Sequence, residues 1–583
     1  MEHKRTERTL TPQRPSWRPN LIGKRYAVSC GHYLAAAAAT RILDRGGNAI
    51  DAGVTAAMAL AVLQCDIVSF SGVAPTLIYR RKERKVHSIA GLGYWPAGTD
   101  VERLRTEGKG AIPEGLLRTV MPAAPATHIA ALSRFGTISF EEAASAAYEL
   151  AHDGFAAYPV FVRHFEKFHE KYRRWPSNAA LYLPGGEPPR VGQIFKQEKL
   201  AESIAGMMEA ERKCSGDRLA KLRAAHDYYY KGPIADAIAS FHRENGGFVT
   251  KEDLAGFEAP VEPSIHCDYK GYEVHSCDTW CQGISLLETM KIVEGLDLKA
   301  LGHNSPAYVH HITEAFNLAF ADREGYVGDP RFVDVPVAGL LANDYAAKQR
   351  SRIRSDKAFG EMPRPGAPAG ATRDPFIPDM SRFARLEPGA ALDTIYCCVA
   401  DSEGNCYSAT LSDNARDTVV IPGLGGTVSS RGAQSRFEAG HPAEVKPGKR
   451  PRLTPSPALA LRDGELFMGF GTPGGDVQMQ AMLQVFLNVT EFGMTVQQAI
   501  EQPRFGTFMF PNSFSPFSIG NFNIEGRFPQ ATVDALAALG HPVERWGDVV
   551  PAAGAVCAIM RDPSTGWLHA GADPRREAYA IAW

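Results

Sequence analysis

TIYCCVADSEGN, residues 394–405, reads as a strand, Thr394–Ala400, running into a turn at Asp401-Ser402-Glu403-Gly404-Asn405, with Cys406–Leu411 as the returning strand. Immediately upstream, Ser355–Leu392 is rich in proline, glycine and isolated charges, with PRPGAPAGATRDP inside it, and such a composition holds no regular element for long. A threonine opening a strand is ordinary, because β-branched side chains favour strands. Its place after a linker adds chemistry. A chain cut before Thr394 would carry an α-amine with a pKa of about 7.7–8 on the residue that carries the hydroxyl. Nucleophile and base would then belong to one residue, which makes the bond between Asp393 and Thr394 a candidate processing site.

Upstream of the linker the pattern is mostly helical. Tyr33–Cys65 reads as two alanine-rich helices broken at Gly46-Gly47, where glycine caps the first and Asn48 begins the second. Thr76–Arg80 and Val86–Ala90 form a hairpin around the charged tip Arg81–Lys85. Phe140–Arg243 is largely helical, and Asn304-Ser305-Pro306 opens a later helix with Ser305 as N-cap and an apolar stripe of Tyr308, Ile312, Phe316 and Phe320. His310 and His311 on that helix read as residues meeting solvent or polar contacts, not as ligands. Downstream, strands cluster. Ala458–Leu461 pairs with Leu466–Phe470 across Asp463-Gly464, Gly471-Thr472-Pro473-Gly474-Gly475 leads into a helix from about Asp476 to Phe492, and Ala555–Met560 and Trp567–Ala570 follow. Helices packed on a two-sheet core, an α+β arrangement, reconcile the two halves.

With 583 residues, 44% of them apolar and 22% charged, the chain can bury a large core. Its 63 basic and 65 acidic residues are spread evenly, leaving a net charge of -2 and no continuous footprint for nucleic acid or an anionic membrane, so small molecules are the expected partners. The most apolar run, Ala52–Leu63, is shorter than the roughly 20 residues that span a bilayer. Met1–Asn20 lacks the apolar stretch of a secretory signal, and a cytoplasmic protein is expected. Ten cysteines without a C-x-x-C pair read as reduced thiols, with no metal or cofactor implied. Cys397 and Cys398, adjacent in a strand, should point to opposite faces.

The Gly474-Gly475 pair lets backbone N–H groups approach a developing oxyanion, and the helix end adds positive potential; a plain turn before a helix is the alternative. Seven segments, in order, resemble gamma-glutamyltransferases: GGNAIDAGVTAAMALAV (46–62), GGFVTKEDLAGFEAPVEP (246–263), AFADREGYVGDP (319–330), TIYCCVADSEGN (394–405), GTPGGDVQMQAMLQVFLNVTEFGM (471–494), QPRF (502–505) and GADPRREAYA (571–580). The resemblance implies a four-layer αββα N-terminal-nucleophile hydrolase that cuts itself into a large subunit, 1–393, and a small one, 394–583. The two would stay associated and form an acyl-enzyme on the new terminal threonine. Matched residue by residue, it implies Thr394 as nucleophile and Gly474 and Gly475 as the oxyanion hole. Ser412 falls where a threonine assists the nucleophile, Asn414 on a substrate-contacting asparagine, and Thr454 on one member of a serine pair.

The departures concern the substrate. Where the family places an arginine for the glutamyl α-carboxylate this chain reads Gly91-Leu92-Gly93-Tyr94-Trp95-Pro96, and where acids hold the amino group it reads Ser430–Arg436, without an acid. Leu453 replaces the other serine, and Ser69–Ala74 replaces a glycine-rich loop. Charge-assisted hydrogen bonds worth about 1.5–3 kcal/mol each are thereby missing. A small amide other than a standard gamma-glutamyl one is expected. Arg431 and Arg436 are candidates to face a substrate anion, and Tyr94 and Trp95 to line an aromatic pocket; solvated arginines and core aromatics are the alternatives. Two other readings stay open: a gamma-glutamyl hydrolase or transpeptidase acting on glutathione-like amides, and an unprocessed binding scaffold. Related enzymes act on oxamate or acyl side chains, and homo-oligomer formation is left open.

Overall fold

Two seven-stranded antiparallel sheets face each other, and helices cover both outer faces, giving the four layers of an αββα sandwich. The computed structural model describes residues 16–385 and 394–583; Asp393 and the end of the linker, 386–392, lie outside the described residues. The first sheet runs Tyr579–Ala582, Tyr26–Cys30, Ile395–Asp401, Cys406–Leu411, Thr76–Arg80, Lys85–Ile89, Val261–Pro263. The second runs Leu21–Gly23, Leu568–Ala572, Cys557–Arg561, Glu465–Gly471, Ala458–Arg462, Tyr272–Ser276, Ile265–Tyr269. Strands from before and after the linker share both sheets, so the expected two-sheet core is built from both parts of the chain. Ile395–Asp401 pairs with Tyr26–Cys30 on one side and Cys406–Leu411 on the other, since only a central position pairs both edges of a strand buried on both faces.

Alternation sends Cys397 outward to the helices and Cys398 inward among Leu459, Ile559 and Cys557. The helix Ala49–Leu63 is buried at every residue, as an all-round apolar helix must be. Asn48 and Asp51 form its capping box, and Asp401 at the end of the central strand accepts from the Ala49 N–H at 2.8 Å, placing an acid at the positive end of the helix. Gly53 lets this helix lie on the sheet, because a Cβ there would fall 2.2 Å from the Tyr407 ring.

On the other outer face Gly283–Glu294, Pro306–Tyr326 and Gln478–Thr490 pack over Val274, Ala458, Phe470 and Ala558. Ser305 caps the second of these through Tyr308 N, at 3.1 Å. His310 bonds His541 and the Arg354 carbonyl, and His311 bonds the Ala307 carbonyl, so both meet polar partners. The described part of the linker, 355–385, is mostly irregular yet anchored: Gly366 N–H donates to Asp322 at 2.6 Å and Arg373 to the Gly325 carbonyl at 2.8 Å. All ten cysteines are free thiols. Among the described residues no helix is long and apolar enough to cross a membrane.

Candidate active site

Thr394 stands just before the strand, which begins at Ile395. Its φ of 78° takes it off the ladder, into a region that costs a β-branched residue about 1–3 kcal/mol and persists only where surroundings impose it. The surroundings are specific. The Thr394 N–H donates to the Ile67 carbonyl and its carbonyl accepts from Arg576, both at 3.4 Å. Antiparallel register pairs Ile395 with Leu411, so residues 394 and 412 meet at the same end of the sheet. Thr394 Oγ1 lies 2.6 Å from Ser412 Oγ, and both residues are fully buried.

Arg431 reaches this pair from the turn Arg431–Gln434 and donates to Ser412 Oγ. Its Nε is 3.3 Å from Asp413 Oδ1, which also accepts from Ser430 N and Oγ at 2.9 Å. Asp413, outside Ser430–Arg436, is therefore the acid that pairs with Arg431. Arg436 bonds Glu324 and the Asn512 carbonyl, with the Phe517 ring over its guanidinium. Glu324 also meets Arg323, Arg452 and His441. Burial works to raise the Glu324 pKa, but Arg452 and Arg436 hold it well below the ordinary carboxylate range. Burial lowers His441 to about 3, leaving it neutral at pH 7.

Gly474 and Gly475 adopt φ of 127° and 58°, which side chains seldom tolerate. Gly471, ending the preceding strand, lies against the Tyr396 ring, where a Cβ would fall 2.3 Å away. The glycine turn and Thr394 therefore emerge at one edge of the sandwich. The left-handed glycines close a short 3-10 turn, Gly475–Val477, so the helix starts at Gln478 and ends at Thr490, shorter than expected. Gln282 Nε2 donates to both the Gly475 and Thr454 carbonyls, and Gln434 donates to Thr454 Oγ1 at 2.8 Å. Phe514 spans the two groups: its ring covers Arg431 at 5.3 Å and comes within 3.6 Å of a Cβ placed on Gly475.

The structure thus joins Thr394, Ser412 and Arg431, and joins Gly475 to Thr454. The Asn414 side chain accepts from Asp417 N at 3.1 Å, shaping its own turn. Tyr94 packs on Phe257 and under Arg331, away from these groups. Trp95 is fully buried with Leu104, Ile112 and Val120, and donates to Ser435 Oγ at 2.9 Å, so it backs the Arg431 turn where an open aromatic wall was expected. Gln282, Asp413 and Phe514 were not signalled by sequence. A cavity of about 150 Å³ is lined in part by Ile67 and Arg576, the two residues that hold the Thr394 backbone. A cavity of about 970 Å³, lined by Trp175, Leu181, Phe241 and Val419, shares no residue with this site. Among the described residues, the groups spaced to hold a cation, His266–Glu273–His275 and His310–Glu314–His541, include none of these site residues.

The chain with this αββα sandwich is an enzyme of the N-terminal-nucleophile class, an amide hydrolase or acyltransferase. The gamma-glutamyltranspeptidase family profile matches residues 35–583, and the chain belongs to that family. It is 29% identical to a glutathione hydrolase-like YwrD proenzyme of Bacillus subtilis, covering 96% of this chain and 99% of the other. It is 30% identical to an acylase ACY 1 proenzyme of a Pseudomonas strain, covering 96% and 94%. The crystal structure of a cephalosporin acylase from Bacillus halodurans superposes with a TM-score of 0.84 at 27% identity, covering 98% of each chain.

Proposed function

We propose that the chain cuts itself before Thr394 and then hydrolyses a small amide through an acyl-enzyme on that residue, the fragments 1–393 and 394–583 remaining together. The observation that carries this reading is the buried 2.6 Å contact between Thr394 Oγ1 and Ser412 Oγ at a residue of strained backbone. In maturation the hydroxyl attacks the carbonyl of Asp393; the C–N bond breaks as the amide becomes an ester, freeing the α-amine with the hydroxyl proton, and water then opens the ester to leave the Asp393 carboxyl and restore the hydroxyl. Before the cut that nitrogen is an amide and cannot serve as base, so Ser412 is the group in contact to relay the proton.

In turnover Oγ1 attacks the substrate carbonyl while the α-amine takes its proton and the Gly474 and Gly475 N–H groups receive the oxyanion. The C–N bond then breaks and the amine passes the proton to the leaving nitrogen. Water attacks the ester, and Oγ1 leaves with a proton as the acid departs. The resemblance to proenzymes, one of them an acylase, supports an amide substrate beyond the gamma-glutamyl class. Denaturing mass spectrometry tests the proposal: the wild type should give two fragments meeting at 393/394 and Thr394→Ala one intact chain. Fragments from Thr394→Ala would refute it.

A further inference from the structure

The edge of the second sheet carries a polar face that the proposed reaction does not use. Ile265–Tyr269 and Tyr272–Ser276 are its last two strands, joined at Lys270-Gly271, and their register sets His266 opposite His275 and Asp268 opposite Glu273. Cys267, Tyr269, Tyr272 and Val274 pack with the helices of the outer layer, so alternation sends His266, Asp268, Glu273 and His275 together to the other side. One nitrogen of each histidine and a carboxylate oxygen of Glu273 all lie within 4.8 Å of one another.

Hydrogen bonding accounts for only part of this group. His275 is 5% exposed, and its Nδ1 lies 3.0 Å from Ser264 Oγ. Its Nε2 is 2.7 Å from Glu273 Oε1 yet finds no hydrogen-bond partner among the described residues, because the ring does not aim an Nε2–H at that oxygen. With Nδ1–H donating to Ser264 Oγ, the assignment that gives the ring's one donor a partner, Nε2 presents a lone pair to a carboxylate oxygen. Two electron-pair donors that close repel unless a cation stands between them. A proton would join two atoms; with His266 the converging donors are three, which suits a metal ion. His266 and Glu273 are exposed, so an ion can enter from solvent, and Asp268 adds negative charge on the same face.

We propose that His266, Glu273 and His275 bind one divalent transition-metal ion of the zinc and nickel kind, with Ser264 orienting His275 and water completing the shell. Imidazole beside a carboxylate favours those ions over magnesium and calcium, which take oxygen ligands. The bound ion ties the two edge strands together. Neither the site nor its test depends on Thr394 as nucleophile.

Calorimetric titration of the purified full-length protein, first stripped with chelator, tests the site. Zinc chloride and nickel chloride should each fill one saturable site per chain, and magnesium chloride should give no binding heat at the same concentrations. His266→Ala and Glu273→Gln change exposed side chains and should fold as the wild type does; each should weaken that site at least about tenfold, and Ser264→Ala about tenfold to a hundredfold. His152→Ala, at an exposed histidine elsewhere, should leave it intact. Zinc should also raise the wild-type Tm and leave that of His266→Ala unmoved at the same concentration. The absence of a saturable zinc site in the wild type, or a site whose affinity either His266→Ala or Glu273→Gln leaves unchanged, overturns the proposal. Magnesium binding as tightly as zinc overturns the class of metal.

Discussion

The side-chain amide of Gln282 clamps two carbonyls with one nitrogen, those of Thr454 and Gly475, each at 3.1 Å, while its Oε1 accepts from Arg323 at 2.7 Å. A glycine turn can aim its N–H groups at an oxyanion only if something fixes its rotation, and this amide is the fixing group.

Gln282→Ala is expected to lower kcat about tenfold to a hundredfold, short of the 10²–10³ lost when an oxyanion donor is deleted outright, with a smaller change in KM. It also strands the buried Arg323 donor, which should cost about 1–3 kcal/mol in urea unfolding. Steady-state kinetics and denaturation on one preparation separate the two effects.

Ser412→Ala should slow maturation by about a hundredfold or more, because Ser412 relays the proton there, and should slow turnover less, because the freed α-amine then serves as base. Ser412→Thr keeps the hydroxyl and should restore most of both. A time course of precursor loss in denaturing mass spectra checks the first, and amine release the second.

Glu324→Gln should destabilise the fold by about 3–5 kcal/mol, since it leaves Arg323, Arg436 and Arg452 without their shared counter-charge. Because the folded protein holds this carboxyl below its unfolded value, the wild-type contribution is complete above about pH 4.3 and fades as pH falls toward the folded value. Unfolding free energies between pH 3 and pH 6, in units set by about 1.4 kcal/mol per pH unit, should show this slope in the wild type and lack it in the variant.

Glu314 behaves in the opposite sense. The Arg354 carbonyl can only accept, so His310 Nε2 donates to it, His310 Nδ1 accepts from His541, and His541 Nδ1 is left facing Glu314 Oε1 at 3.6 Å. Burial raises Glu314 to about 7 and lowers His541 to about 3, placing the proton on the acid. A raised carboxyl contributes stability below its unfolded value of about 4.3 and loses it as pH climbs through about 7. Glu314→Gln should therefore match the wild type in acid and exceed it in thermal stability above pH 7.

Sequence revealed the parts whose signal is local. The strand and turn around Val399 and Gly404, the Asn48 and Ser305 caps and the glycine pair all follow from neighbouring residues. Thr394 was placed inside its strand because propensity cannot see a backbone forced to positive φ by Ile67 and Arg576. Gln282, Asp413, Glu324 and Phe514 escaped because each acts on a segment remote in sequence, where an ordinary polar or aromatic residue carries no mark of its partner. Trp95 carried a real aromatic signal, but whether it faces a ligand or a core depends on the Gly432 turn packed against it.

The placement of Ile395–Asp401 between a strand from early in the chain and one from its own half has a consequence for molecularity. Under the proposed cut, the precursor refolds as one body at a rate independent of concentration. The mature pair must meet again after denaturation, and its recovery becomes second order. Neither fragment can peel away without tearing the central ladder, so dilution alone leaves the cut enzyme whole. Maturation would then act as a ratchet: a protein that folds alone becomes one that stays folded because it was once a single chain.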